Sequence, residues 1–108
     1  MTADEGLVFC DSINATLVRI DNTQENTFLA SEMTKKDIQY IWLAANDRAV
    51  EGEWVWGPGD EVLNGLWQSG EPNDDYGEDC GVLKRTRQEW NDLNCLDQRP
   101  YAVCEARF

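Results

Sequence analysis

Residues 71–93 read "EPNDDYGEDCGVLKRTRQEWNDL", and this stretch combines an acidic loop with two short apolar segments. Its first ten residues carry five carboxylates, together with a proline, a glycine and a cysteine. Side chains of like charge at this density repel one another unless a cation lies between them. The segments "CGVLK" and "EWNDL" are rich in branched and aromatic residues, which is typical of strands. The stretch therefore predicts a charged loop that is held between strands.

The charge of the whole chain limits its partners. The 108 residues carry a formal net charge of −12, with 21 acidic and 9 basic residues. Nucleic acid and anionic membranes are disfavoured because both require a basic face. Divalent cations are the natural counter-charge, although an acidic surface also serves solubility alone. The absence of histidine excludes Ser-His and Cys-His catalysis and most zinc chemistry.

Four cysteines in a short chain predict two disulfides and an oxidising compartment. Counting leaves three pairings open, and the spacings are not those of a zinc site. No long apolar run is present, so we expect neither a signal peptide in this chain nor membrane insertion. The length fits one domain over residues 1–108. These features together favour a secreted or extracellular protein.

Two helices are predicted at the start of the chain. The first covers Ala3–Ser12, with Thr2 as its cap and with Ala3, Leu7 and Cys10 on one side. The second follows Asn22, and Glu25 stands at the spacing of a capping box.

The second helix and the later segments complete the α+β pattern. Phe28, Leu29 and Met33 form the expected apolar face of the second helix. Strands are predicted at "IQYIWLAA", "EWVW", "CGVLK", "EWNDL" and "YAVCEARF". Between Trp56 and Cys80 the apolar residues show neither the helical nor the strand period, and loops of that length are usually functional or disordered. Helices followed by strands indicate the α+β class.

One set of oxygen-bearing side chains suits a calcium ion. It contains three carboxylates and two amide carbonyls: Glu71, Asn73, Glu78, Asn91 and Asp92. Calcium accepts about six to eight oxygens, whereas magnesium demands tighter octahedral geometry. Five groups leave positions for water or for two adjacent sugar hydroxyls. The alternative is an acidic surface loop that binds no ion.

The order of several motifs resembles the C-type lectin-like family over nearly all of the chain. Cys10 follows the first helix, and "ATLVRI", the second helix, "IWLAAND" and "EWVWGPGD" come next. "EPN", "EDC", "WND" and "YAVCE" then follow in the family's order. The resemblance implies a C-type lectin-like fold with two short helices, small antiparallel sheets, a long calcium-binding loop region and two disulfides, Cys10–Cys104 and Cys80–Cys95.

Three departures from the family pattern are visible. The strand that usually precedes the first helix is missing, so the last strand is expected to expose an edge, through which a homodimer could form. The acidic loop is about one residue shorter than the commonest form in the family. Ala44 replaces a glycine that is usual in the family, which requires slight repacking.

The resemblance also implies the site. Glu71, Asn73, Glu78, Asn91 and Asp92 would form the primary calcium site and would contact the carbohydrate, with Pro72 as a cis proline between the first two. Asp47, Glu51, Asp74 and Asp79, with Glu78, would form an auxiliary site, and Tyr76 is a further candidate for carbohydrate contact. In the family, "EPN" accompanies mannose, glucose, fucose and N-acetylglucosamine.

The resulting hypothesis is calcium-dependent, non-enzymatic binding of carbohydrate, with microbial or glycoprotein glycans as the expected partners, in innate immunity. The first alternative is a protein-, ice- or surface-binding module on the same fold that has no need of sugar. The second is a hydrolase with paired carboxylates, which is disfavoured because the best-placed acids belong to the calcium set. Trp42, Trp54 and Trp56 lie in strand patterns and are expected in the core, and Trp90 is expected beneath the site.

Overall fold

The structure is a computed structural model, and it describes residues 1–20, 22–48, 53–56, 60–61, 79–86 and 89–106. Two helices and eight short strands follow one another along the chain. They are α1 Ala3–Ser12, β1 Ala15–Leu17, α2 Thr23–Lys35, β2 Tyr40–Asn46, β3 Val55–Trp56, β4 Asp60–Glu61, β5 Cys80–Lys84, β6 Glu89–Leu93, β7 Tyr101–Ala102 and β8 Cys104–Ala106. The predicted α+β class and the five predicted strand segments are confirmed, and β4 is an addition in a segment where no strand was predicted.

Helix α1 begins and ends where the sequence predicted. The Thr2 hydroxyl accepts a hydrogen bond from the Glu5 amide at 3.2 Å, and the Thr2 amide donates to the Glu5 carboxylate at 2.8 Å. This reciprocal capping box satisfies two backbone donors at the helix start. The buried face consists of Ala3, Gly6 and Cys10. Leu7 was expected on that face and is 45% exposed, so this part of the prediction was wrong.

Helix α2 also begins at the predicted cap, where the Asn22 side chain accepts from the Glu25 amide at 2.8 Å. Its buried residues are Asn26, Ala30 and Met33, which follow the i, i+4, i+7 spacing of one helical face. Leu29 packs against the core as expected. Phe28 was predicted to be buried and is 64% exposed, because a polar residue, Asn26, takes an inward position.

Both helices are followed by a non-glycine residue in the left-handed region. Asn14 has φ 57° and Asp37 has φ 55°. Asparagine and aspartate tolerate this conformation better than other side chains, and it reverses the chain direction at a helix end. The first reversal leads into β1, and the second leads towards β2.

Strands β2 to β7 form one six-stranded sheet. Its order is β4-β3-β2-β5-β6, with antiparallel pairs throughout, and β7 adds to β2 in the parallel direction. A second sheet consists of β1 and β8, in which Leu17 is opposite Cys104. One edge of strand β8 is therefore paired with β1, which lies in a segment where no strand was predicted. The homodimer through this strand stays a prediction.

Two buried clusters form the core on either side of β2. The first contains Val18, Ile20, Met33, Ile41, Leu43, Ala45, Trp56, Leu83 and Trp90. The second contains Ala3, Cys10, Ala15, Leu17, Trp42, Cys80 and Val82. Trp42 and Trp56 are buried and Trp54 packs against the first cluster, which confirms the expected core positions. Ala44, the residue in place of the family's glycine, is partly buried and packs against both clusters.

Both disulfides have the predicted partners. Cys10 is bonded to Cys104, 94 residues away, and joins α1 to β8. Cys80 is bonded to Cys95, 15 residues away, and joins the start of β5 to the turn after β6. No cysteine of the chain is left free. The pairing that the family resemblance implied is confirmed.

An ion pair orders the turn between β6 and β7. Nη2 of Arg99 lies 2.7 Å from Oδ2 of Asp97, and the Arg99 guanidinium also lies 5.2 Å from the centre of the Tyr40 ring. The hydrogen bond from the Arg99 side chain is the main reason why the pKa of Asp97 is lowered from its ordinary value. This pair fixes the chain shortly after Cys95.

We expect Asp97→Asn to destabilise the protein at neutral pH by roughly 0.5–1 kcal/mol, the usual range for an exposed ion pair. Because the pKa of Asp97 is lower in the folded state, its contribution is complete above the unfolded pKa and is lost as pH falls through the folded pKa. Denaturant unfolding of both proteins at pH 7 and at about pH 2–3 measures this. The difference between them should shrink at the lower pH, and an equal difference at both would contradict the assignment.

Candidate functional site

Four of the predicted metal ligands lie at one end of three neighbouring strands. Asp47 directly follows β2, Asp79 directly precedes β5, and Asn91 and Asp92 belong to β6. The sheet places these strands in the order β2-β5-β6. The Asp47 amide donates to the Asp79 carbonyl at 3.1 Å, so these two residues are side by side.

The pairing of β5 with β6 fixes the other two residues. Asp92 is opposite Gly81, and Asn91 is opposite Val82. A Cβ atom at Gly81 would lie 3.1 Å from the Ala45 methyl and 3.2 Å from the Ala45 carbonyl oxygen. Glycine at this position therefore allows β5 to approach β2 closely. The close approach brings the end of β2, with Asp47, towards β5. Strand β6, which carries Asp92, is paired with β5 on its other side.

The oxygen atoms at this end of the sheet are buried to an unusual degree. Asp47 is 1% exposed and Asp92 is 2% exposed. Oδ1 of Asp79 and Oδ1 of Asn91 are buried, and within the part of the chain that the structure describes neither has a hydrogen-bond partner. A buried acceptor without a partner costs about 1–3 kcal/mol. Bound calcium would satisfy such oxygens, since carboxylate and amide oxygens are the ligands that it prefers. The carboxylate and amide oxygens of the described residues therefore fit a calcium ion.

The described residues supply only part of each predicted site. Of the primary set, Asn91 and Asp92 are adjacent on β6, and of the auxiliary set, Asp47 and Asp79 are side by side. The remaining predicted residues lie outside the described residues: Glu51, Glu71, Pro72, Asn73, Asp74, Tyr76 and Glu78. Within the described ranges alone, no group of three or more Asp, Glu, His or Cys side chains could hold a metal ion. Both sites would therefore need ligands from residues 49–78.

Trp90 directly precedes Asn91 and Asp92, the two predicted ligands of β6, and it is buried as expected. Its place beneath a calcium site stays a prediction. Its ring is fully buried and stands edge-on to the Trp56 ring, with centres 5.3 Å apart. Its indole N–H donates to Oδ1 of Asn26 at 2.9 Å, across 64 residues of sequence. The sequence analysis assigned no role to Asn26. The signal was its place one turn before Ala30 and two turns before Met33, which is an inward position on α2.

Arg48 connects the same end of the sheet to α1. It directly follows Asp47, and its Nη1 lies 2.6 Å from Oδ1 of Asp4. Its Nε donates to Sγ of Cys95 at 3.3 Å. Arg48 thus contacts the disulfide that joins β5 to the turn after β6. The sequence analysis missed this residue as well, because its two contacts are 44 and 47 residues away.

The family model described as the lectin C-type domain matches residues 1–106. The chain belongs to the C-type lectin domain family. Human C-type lectin domain family 17, member A is 36% identical over 104 residues, which cover 96% of this chain and 26% of that protein. The chain thus spans about a quarter of that relative's length.

Two solved structures extend the comparison to three dimensions. The mouse scavenger receptor C-type lectin carbohydrate-recognition domain has a TM-score of 0.86 at 26% identity, covering 99% of this chain and 84% of that one. The cow carbohydrate-recognition domain of CD23, solved in the presence of a GlcNAc2Man3 oligosaccharide, has a TM-score of 0.83 at 28% identity. That match covers 96% of this chain and 78% of the other. The two structures confirm the C-type lectin fold, and the relatives carry the names of binding domains rather than of enzymes.

Among the described residues, neither α1 nor α2 is long and apolar enough to cross a membrane.

Proposed function

We propose that this domain binds carbohydrate through a calcium ion held by Glu71, Asn73, Glu78, Asn91 and Asp92, without catalysis. The observation that supports it most is the buried Oδ1 of Asn91, which has no hydrogen-bond partner among the described residues and belongs to the residue next to the buried Asp92. A folded protein seldom leaves such an acceptor unsatisfied without a ligand or water. Bound calcium would supply positive charge and open coordination positions for two adjacent hydroxyls of a sugar.

The residues of the chain have separate tasks in this proposal. Three carboxylates, Glu71, Glu78 and Asp92, offset the charge of the cation, and the amides of Asn73 and Asn91 add neutral oxygens. A carboxylate accepts a hydrogen bond from a sugar hydroxyl, whereas an amide N–H donates one. The alternation of acid and amide along the site therefore selects the orientation of the bound diol. Strand β6, which is paired with β5, carries two of the five groups, Asn91 and Asp92.

The choice of sugar rests on the order of the acid and the amide in "EPN" at residues 71–73. In the family this order accompanies mannose, glucose, fucose and N-acetylglucosamine. The cow CD23 domain, which was solved with an oligosaccharide of N-acetylglucosamine and mannose, supports the same sugar class. Two disulfides and extracellular relatives favour a secreted or extracellular site of action, where microbial or glycoprotein glycans would be the partners. Asp47, Glu51, Asp74 and Asp79 are proposed as the auxiliary site.

We expect the protein to be retained on immobilised mannose in millimolar calcium and to be released by a chelator. Retention on immobilised galactose should be weaker, which provides the control for the matrix. Affinity at one site should be weak, with a Kd of roughly 1 mM, because few atoms of a monosaccharide are buried. Calcium binding itself is measured by titration calorimetry. Retention that survives chelation would contradict the mechanism, and the absence of calcium binding would favour the sugar-independent surface-binding module.

A further inference from the structure

We infer that Asn26 is a positioning residue for the proposed calcium site and acts through Trp90. The inference rests on the proposed function, because it concerns the same two β6 ligands, Asn91 and Asp92. It assigns a role in binding to a side chain on α2, which supplies none of the proposed ligands. The link is one buried hydrogen bond between the amide oxygen of Asn26 and the indole N–H of Trp90.

The geometry of this bond leaves it protected from water. Asn26 is 2% exposed and Trp90 is fully buried, and the donor and acceptor atoms are 2.9 Å apart. Hydrogen bonds in such surroundings are electrostatically stronger than in water, because the local dielectric constant is low. The Trp90 ring also contacts Trp56 edge-on, with ring centres 5.3 Å apart. The indole is thus held by a directed hydrogen bond and by an aromatic contact.

Strand β6 transmits this constraint to the ligands. Trp90 is directly followed by Asn91 and Asp92, and in a strand residues i and i+2 point to the same face. Trp90 and Asp92 accordingly share the buried face of β6. On β5, Leu83 is opposite Trp90 and Gly81 is opposite Asp92. The register of β6 against β5 is therefore set on both sides of Asn91. A shift of the Trp90 ring would turn the β6 backbone and move both ligand oxygens.

The chemistry of the buried amide supports a positioning role over a packing role. Burying an amide costs free energy unless it is hydrogen-bonded, and an apolar side chain of similar volume would fill the same space in the core without that cost. What asparagine adds at position 26 is an acceptor aimed at the indole. Ala30 and Met33, on the same face of α2, are apolar. The polar exception on this face is therefore the residue that contacts β6 through a directed bond.

The test compares calcium affinity with stability in the same set of variants. Asn26→Leu removes the acceptor but keeps the number of side-chain heavy atoms, and Trp90→Phe removes the donor but keeps a ring. Each should lower calcium affinity by about tenfold, the lower end of the range for residues that orient metal ligands. Because Asn26 also makes other interactions, the double variant is essential. It should lose no more calcium affinity than either single variant, since all three lack the same bond.

Two further variants separate positioning from general destabilisation. Met33→Ala opens a cavity in the same core cluster and should lower the thermal midpoint without changing the calcium affinity of the folded protein. Asn26→Asp keeps an acceptor for the indole and should restore most of the affinity that Asn26→Leu loses. Calcium affinity is measured by calorimetry at a temperature where every variant is folded.

The third readout requires no calcium. In the calcium-free protein, the indole N–H of Trp90 should exchange slowly with deuterated water in NMR spectra, and Asn26→Leu should accelerate that exchange together with the amides of Asn91 and Asp92. If Asn26→Leu and Met33→Ala weaken calcium binding equally for equal losses of thermal midpoint, the role is structural and the inference is overturned. If the wild-type protein binds no calcium, the proposed function fails, while the exchange measurement still decides whether the bond orders β6.

Discussion

Asp92→Asn is expected to reduce calcium affinity by about 100-fold or more, above the roughly 10- to 100-fold that changes in residues behind the ligands produce. The substitution keeps the shape of the side chain and one oxygen, but it removes a full negative charge from a residue that is 2% exposed. Coulomb attraction to a divalent ion is strongest where water is excluded, so this charge should contribute more than one at the surface. Sugar retention should be lost together with calcium.

The matched control for this variant is Asp97→Asn, which makes the same chemical change five residues further along the chain. Asp97 pairs with Arg99 and belongs to neither proposed site, so its calcium affinity should equal that of the wild type. Calorimetric titration with calcium gives the affinities, and circular dichroism confirms that both variants are folded. Equal loss in both variants would indicate that net charge alone attracts the ion, and no loss in Asp92→Asn would remove this residue from the site.

The regular elements were predictable because their signals are local. Thr2 and Asn22 are capping residues with Glu5 and Glu25 three positions later, and both caps form the predicted hydrogen bonds. Strands β5 and β6 are short segments that contain branched and aromatic residues, and both are present where predicted. The disulfide partners could not be predicted from local sequence signals. Cysteine counting left three pairings open, and the family resemblance selected the pairing that the structure shows.

The inward faces of the helices were less predictable, because they depend on what the rest of the chain packs against them. Leu7 and Phe28 are strongly apolar yet exposed, while Gly6 and Asn26 are buried. Gly6 is inward because α1 packs at this point against Ala102 and Leu17, which would be in ordinary van der Waals contact, at 3.4 and 3.5 Å, with a Cβ atom placed there. Asn26 is inward because Trp90 offers it a donor. Neither partner is visible in a hydrophobic pattern, which records polarity and not contacts between distant segments.

The candidate site also combines features that the sequence predicts with features that only the packing of distant segments shows. That "WND" carries two oxygen-bearing side chains follows from residue chemistry, and that Asp47 lies beside Asp79 follows only from the β2–β5 pairing. The role of Gly81 is also a product of packing, because the close approach of Ala45 to β5 is a property of the assembled sheet. The ligand set of residues 71–78 remains a prediction from the sequence and the family, and lies outside the described residues.

The largest loss of stability is expected on removal of the Cys10–Cys104 disulfide. In the chain-entropy model, replacing both cysteines by alanine should cost about 4–5 kcal/mol, because the bond closes a loop of 94 residues. Removal of Cys80–Cys95, which closes a loop of 15 residues, should cost about 3 kcal/mol. Denaturant unfolding of the two double-alanine variants measures both values. A smaller loss for the longer loop would contradict the entropic explanation.

Calcium binding should rank the same two variants in the opposite order. The Cys80–Cys95 disulfide joins the start of β5, directly after Asp79, to the turn that follows β6, the strand of Asp92. Arg48, which directly follows Asp47, donates a hydrogen bond to Sγ of Cys95. Cys10–Cys104 joins α1 to β8, in the smaller sheet. Under conditions where both variants are folded, the Cys80/Cys95 variant should therefore bind calcium more weakly than the Cys10/Cys104 variant, although it is the more stable of the two. If calcium affinity instead follows stability, the shorter disulfide has no role at the site beyond holding the fold.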